Sequence, residues 1–160
     1  MKIVTYTKRK LENILKKNFT NKDCDFYLND QSYAVMDASW IKTECYKGYR
    51  KWLDLAGIDK WKTNWDCDNF AQSFKMYVNL LHARANPETF TSAHKSGNKN
   101  ACDARAAGVG VMFFKNSDRS AHAINVVATE EDEVLFFEPD GGDFLNLSDK
   151  HKETTWYVNL

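Results

Sequence analysis

The pattern of hydrophobic positions predicts helices in the first half of the chain and strands in the second. Apolar residues recur at helical spacing over residues 7–19 and 47–56. The longest such segment, 66–84, carries one apolar stripe without Gly or Pro and should form the central helix. The polar segment 86–107 predicts a long loop or insertion. Four segments then have strand-type composition: 108–115, 120–129, 134–138 and 154–158.

The order of these segments indicates the fold class and the domain organisation. Short polar connectors between successive strands favour an antiparallel meander. Helices followed by strands predict an α+β fold, and 160 residues predict a single domain. Its predicted parts are an N-terminal helical part (1–60), the central helix (61–85), a loop or insertion (86–107) and an antiparallel sheet (108–160).

Composition excludes several classes of protein. Lys plus Arg equals Asp plus Glu, at 22 each, which argues against a nucleic-acid binder. No run of 18 apolar residues predicts a membrane span, and the N-terminus lacks the apolar core of a signal peptide. These features predict a protein that stays in the cytoplasm or is delivered without a signal peptide. The four cysteines contain no C-x-x-C pair, so free thiols are expected rather than a zinc site.

Three residues lie in the order of a Cys–His–acid triad. Cys67 begins the predicted central helix, where the helix dipole and unpaired amides should stabilise a thiolate. His122 opens an apolar strand, and Glu138 ends the next one. Such a histidine can take the thiol proton, and a carboxylate on its other nitrogen can orient the ring. The three residues are therefore predicted to be catalytic.

Strand register leaves the acidic member of this group open. One register sets His122 opposite Glu138, and another sets it opposite Asp140 with Glu138 on the diagonal. A third would turn His122 away from both carboxylates. Glu138 is preferred, because Asp140 is expected to lie in a Pro-Asp-Gly-Gly turn. An oxyanion hole would need hydrogen-bond donors near the thiol. The candidates are the backbone amide of Cys67 and the side chains of Asn64, Trp61 and Trp65.

The segments WDCDNFA (65–71), HAIN (122–125) and EPDG (138–141) resemble a known family. They are similar to the papain-like cysteine peptidase domain at the C-terminal end of certain fungal agglutinins, which has stand-alone relatives in phages and bacteria. The resemblance implies a papain-like/transglutaminase-like fold, with N-terminal helices and a central nucleophile helix packed on an antiparallel sheet. It implies that Cys67, His122 and Glu138 hydrolyse an amide or peptide bond through a thioester intermediate.

The resemblance also bears on cofactors. The chemistry itself requires none, but the agglutinin relatives use calcium. Carboxylates near the predicted site supply the oxygen ligands that calcium prefers. The candidate ligands are Asp66, Asp68, Asp140 and Asp143.

The expected partner is a peptide or protein substrate, and three other interpretations stay open. Asp-Cys followed by a distant His resembles NlpC-type cell-wall peptidases, whose substrate is the peptidoglycan stem peptide. A second alternative is a non-catalytic, phage- or virion-associated binding module on a papain-like scaffold. Acyl transfer of the transglutaminase type would use the same kind of triad, but usually with Asp as its acid. The sequence leaves the oligomeric state open.

Overall fold

The computed structural model describes residues 4–85 and 106–160. Most of the predicted loop or insertion, 86–107, therefore lies outside the described residues. In chain order the elements are β1 (Thr5–Thr7), α1 (Lys8–Asn18), β2 (Asp25–Tyr27), β3 (Ser32–Ala34), α2 (Ala38–Trp40), a π-helical turn (Ile41–Cys45), α3 (Tyr46–Leu55), α4 (Cys67–Ala85), β4 (Ala106–Ala107), β5 (Val109–Lys115), β6 (Ala121–Ala128), β7 (Val134–Glu138), β8 (Asp143–Leu145), α5 (Asp149–Glu153) and β9 (Tyr157–Asn159).

The three long helices are confirmed where the sequence predicted them. Helix α1 begins after Thr7, whose hydroxyl accepts a hydrogen bond from the Lys10 backbone N–H at 3.2 Å. Helix α3 ends before Gly57, whose φ of 73° is the left-handed conformation that glycine adopts readily. Helix α4 differs from the predicted segment 66–84 by one residue at each end. Regular apolar spacing over several turns is thus a reliable signal here.

The strands form two sheets, and both sheets are mixed. The larger sheet has the order β2-β9-β5-β6-β7-β8, and the smaller one has the order β1-β3-β4. Strands β5 to β8 are antiparallel neighbours, as the short connectors predicted. However, β2 lies parallel to β9, and β3 lies parallel to β4. Each parallel pair joins an N-terminal strand to one from the second half of the chain.

The predicted fold class, a papain-like α+β fold with N-terminal helices packed on an antiparallel sheet, is therefore wrong. Segment 1–60 contributes strands to both sheets, and segment 20–45, for which the sequence pattern predicted no element, contains β2 and β3. These strands are three residues long, too short to show the alternation by which a strand is recognised. The predicted division of the chain into parts of one domain stays a prediction.

The larger sheet lies between two helical layers. On one face, α1 packs Leu11 and Leu15 against sheet residues that include Ile124. On the other, α4 packs Phe70 and Phe74 into a second core. Buried Asn125 joins the second layer to the sheet, because its amide nitrogen donates to the carbonyls of Ala71 at 2.8 Å and Gly110 at 2.9 Å. This contact fixes the first turns of α4 above β5 and β6, and with them the position of Cys67.

Candidate functional site

The structure brings His122 and Glu138 together. Strands β6 and β7 pair Asn125 with Phe137, which is the register that places Glu138 on the diagonal from His122. A long side chain spans such a diagonal. Accordingly, Nε2 of His122 lies 2.7 Å from Oε2 of Glu138, with the side chains 27% and 18% exposed. Of the two acids that the sequence left open, the one in contact with the imidazole is Glu138.

The surroundings of this pair restrict its movement. The ring of Phe114 meets the imidazole of His122 edge-on, with centroids 5.5 Å apart. The second oxygen of Glu138 accepts a hydrogen bond from the backbone N–H of Asp140 at 3.4 Å. The exposed carboxylate of Asp140 takes no part in this contact, so Asp140 supports the pair through its backbone alone.

The surroundings of Cys67 favour the thiol over the thiolate. It begins α4, is half-buried, and packs against Ala71, Val111 and Ala123. Burial raises the pKa of the Cys67 thiol, and the charges of Asp66 and Asp68 raise it further against the opposing effect of nearby backbone amides. The expectation that the helix start lowers this pKa is therefore wrong, because desolvation and like charge outweigh the helix terminus.

Cys67 is not hydrogen-bonded to the imidazole–carboxylate pair. It packs against Ala123, the residue that follows His122 in β6. Within residues 4–85 and 106–160, no hydrogen bond joins Cys67 to His122. The structure thus assembles the base–acid pair but leaves the third member of the predicted triad unpaired.

We expect Cys67 to be a slow nucleophile at neutral pH. Because its pKa is raised, the thiolate fraction, and with it the rate of alkylation by iodoacetamide, should keep rising above the usual thiol pKa of about 8.5. Mass spectrometry of the Cys67 peptide from pH 6 to 10 measures this rate. Asp68→Asn should increase the rate at a given pH, because it removes a nearby negative charge. A midpoint well below 8.5 would contradict this description of the thiol.

The three candidate oxyanion donors differ in their surroundings. Trp61 is 53% exposed, and Asn64 is also exposed. The indole N–H of Trp65 is buried and has no hydrogen-bond partner in the structure. A turn closed by two 2.9 Å backbone hydrogen bonds between Lys62 and Trp65 holds it in place. A buried donor without a partner costs about 1–3 kcal/mol. Trp65 is the one of the three candidates whose donor is buried without a partner.

The four candidate calcium ligands do not form a calcium site. Asp66 and Asp68 share a hydrogen bond that raises the pKa of Asp68, and Asp143 pairs with Lys42 at 2.6 Å. In the described parts of the chain, no three side chains of His, Cys, Asp or Glu are placed to hold one metal ion. The arrangement does not fit calcium, which takes six to eight oxygen ligands.

A groove that the sequence did not indicate lies between α4 and the larger sheet. Its volume is 890 Å³, within the range of small-ligand sites. Helix α4 contributes four residues at positions i, i+3, i+4 and i+7, which is one face of a helix. Strands β5, β6 and β9 and the residue before β9 supply the opposite wall. The lining residues are Gln72, Lys75, Met76, Asn79, Val111, Phe113, Ala121, Trp156, Tyr157 and Asn159.

Aromatic rings and polar side chains share this groove. Phe113 lies 6.0 Å from Trp156 and 5.6 Å from Tyr157, measured between ring centroids. The amide of Asn159 donates to the hydroxyl of Tyr157 at 2.8 Å. One signal in the sequence could have indicated the wall of the groove that α4 forms. Met76 is an exposed apolar residue among polar residues at helical spacing.

Cys67 adjoins the groove. Both Cys67 and Phe113 pack against the small cluster formed by Ala71, Val111 and Ala123. Two members of this set, Val111 and Phe113, line the groove. The thiol and the groove therefore share part of one wall.

The chain is similar to solved structures, among them the following two. One, described as a PSL1a–E64 complex, has 21% sequence identity and a TM-score of 0.68, and the match covers 98% of this chain and 51% of that one. The other is Polyporus squamosus lectin bound to the human-type influenza-binding epitope Neu5Acα2-6Galβ1-4GlcNAc, with 23% identity, a TM-score of 0.67 and coverage of 98% and 49%. The chain thus spans about half the length of these chains. No family model and no curated protein matches it.

These similarities correct the predicted class. Assignment to the papain-like cysteine peptidases, with the labels thiol protease and catalytic triad, is wrong, because the similar structures named above are those of a lectin and of PSL1a, and neither is described as a peptidase. The predicted hydrolysis of an amide or peptide bond and the predicted peptide or peptidoglycan partner are wrong for the same reason. The short motifs specify a helix start and two strand ends, which is local structure that different functional classes can share. Among the described helices, none is long and apolar enough to cross a membrane.

Proposed function

We propose that the chain is a carbohydrate-binding module whose ligand lies in the groove between α4 and strands β5 and β9. The observation that carries this proposal is the lining of the groove. Three aromatic rings, of Phe113, Trp156 and Tyr157, stand close to the polar side chains of Gln72 and Asn159.

This lining suits the chemistry of a sugar. One face of a pyranose ring presents C–H groups that pack on an aromatic ring, and its edge presents hydroxyls. Side-chain amides both donate and accept hydrogen bonds, as hydroxyls do, so Gln72, Asn79 and Asn159 can match them. All three lie on the groove. The similarity to a lectin that binds a sialylated trisaccharide supports the same ligand class.

Trp156→Ala should weaken binding of Neu5Acα2-6Galβ1-4GlcNAc by about thirtyfold, because it removes a large aromatic surface from the groove. Isothermal titration calorimetry measures the dissociation constant of each variant. Trp61→Ala is the matched control, since Trp61 is an exposed tryptophan outside the groove and its loss should leave binding unchanged. Equal affinities of wild type and Trp156→Ala would contradict the proposed location.

We also propose a second function, that of a thiol-dependent enzyme acting on an electrophilic carbon of a bound ligand. The observation that favours it is the 2.7 Å contact between His122 and Glu138, together with the packing of Cys67 against Ala123, the residue after His122. Cys67 would be the reacting group, His122 the base that takes its proton during attack, and Glu138 the acid that orients the imidazole. A base must remove the proton of the Cys67 thiol during attack, because burial favours the protonated form of this thiol.

The PSL1a–E64 complex supports this second proposal. E64 carries an epoxide, which a thiolate sulfur opens. The C–S bond forms as the C–O bond breaks, and the oxygen then takes up a proton. If the chain has this function, Cys67 should react covalently with such an electrophile, and the reaction should depend on His122.

A further inference from the structure

A cation without a counter-charge lies in the groove. The ammonium group of Lys75 is half-buried and donates hydrogen bonds to two oxygens of Asn159, the backbone carbonyl at 3.2 Å and the side-chain oxygen at 3.0 Å. Both acceptors are neutral. Burial lowers the pKa of Lys75, because the two neutral acceptors replace only part of the water around the charged ammonium group.

Among the residues that the structure describes, no carboxylate forms an ion pair with Lys75. The charge of Asp30 raises the pKa of Lys75 from beyond ion-pair distance, as a weaker effect than burial. No Asp or Glu is among the described residues that line the groove, and Lys75 is the one charged residue in that set.

We infer that Lys75 forms an anion subsite in the groove, and that the ligand carries a carboxylate beside its sugar or other ring. The inference rests on the proposed use of the groove as a ligand site. A carboxylate at Lys75 would form a charge-assisted hydrogen bond in a partly desolvated position, where such bonds are strong. A neutral ligand of the same shape cannot do so. Selection for acidic ligands then comes from charge, and the aromatic wall supplies most of the contact area.

Two matched pairs of probes separate this inference from the proposed function. The first pair is 3-phenylpropionate and 3-phenylpropionamide, which differ only in charge at one end. The second is Neu5Acα2-6Galβ1-4GlcNAc and Galβ1-4GlcNAc, which differ by the acidic sugar. Calorimetry should show the acid of each pair binding about tenfold to a hundredfold more tightly than its neutral partner.

Variants of Lys75 assign the preference to this residue. Lys75→Met should abolish the preference for both acids, while Lys75→Arg should retain most of it because the charge is kept. Lys42→Met is the control, since Lys42 is an exposed lysine paired with Asp143 away from the groove. Circular dichroism and the melting temperature establish that each variant is folded, and Lys75→Arg remains informative if Lys75→Met is not.

The outcomes are distinct. If phenylpropionate is preferred but neither glycan binds, the anion subsite stands and the carbohydrate proposal fails. If both glycans bind the groove equally, the carbohydrate proposal stands and the anion subsite is overturned. The subsite is also overturned if phenylpropionate and its amide bind equally or not at all, or if Lys75→Met keeps the preference.

Discussion

Phe137→Ala should lower the free energy of unfolding by about 3–5 kcal/mol, the usual cost of removing a buried phenylalanine. Phe137 is 0% exposed and joins three elements. Its ring stacks on Phe74 of α4 with centroids 4.9 Å apart and meets Tyr46 and Phe144 edge-on at 5.7 and 5.2 Å. Because Glu138 follows directly, the same packing positions the carboxylate that contacts His122. Urea denaturation followed by circular dichroism measures the loss.

The control for this prediction is Trp61→Ala. Trp61 is also aromatic, but it is 53% exposed, so its removal should change the free energy of unfolding by no more than about 0.5 kcal/mol. Similar losses for the two variants would mean that the ring cluster around Phe137 does not hold the sheet to α4.

His122→Ala should slow covalent modification of Cys67 by E64 by about a hundredfold or more, the usual contribution of a positioned base. Cys67→Ser should abolish the adduct. Burial raises the pKa of Cys24 to about 11 and that of Cys45 to about 12, so neither thiol should compete. A Cys102→Ser background removes the remaining cysteine. Intact-protein mass spectrometry at pH 7.5 gives the rate.

His151→Ala is the matched control for the histidine. His151 contacts the same Phe114 ring, with centroids 5.0 Å apart, but Glu138 pairs with His122 instead. Its loss should leave the rate within about twofold of wild type, since it removes no base beside the thiol. If His122→Ala is labelled as fast as wild type, or if Cys67→Ser still forms the adduct, the thiol-enzyme proposal fails.

The sequence predicts local structure well where a signal repeats over many residues. Helix α4 has 19 residues, and its apolar stripe marks both its limits and its buried face. The parallel pairing of β2 with β9 has no such signal, because Asp25 and Tyr157 are partners from opposite ends of the chain. Three-residue strands acquire their structure from tertiary contacts rather than from intrinsic propensity. The mixed character of both sheets was therefore beyond sequence reasoning.

In the candidate site, too, some features could be predicted from the sequence and others could not. The contact between His122 and Glu138 follows from strand order and register, which the residue pattern limited to a few arrangements. The raised pKa of Cys67 depends on its burial and on the fold around Asp66 and Asp68, which no local pattern reports. The groove was missed because its walls come from α4 and from strands remote in sequence. Short motifs fixed the local geometry correctly while leading to the wrong protein class.

Nuclear magnetic resonance mapping of Neu5Acα2-6Galβ1-4GlcNAc on the 15N-labelled protein tests the central claim most directly. The account predicts saturable shifts of the Trp156 indole and of the side-chain amides of Gln72, Asn79 and Asn159, which line the groove. Shifts confined to another surface, such as the cleft beside Glu130 and Leu135, or no shifts at millimolar ligand, would contradict it.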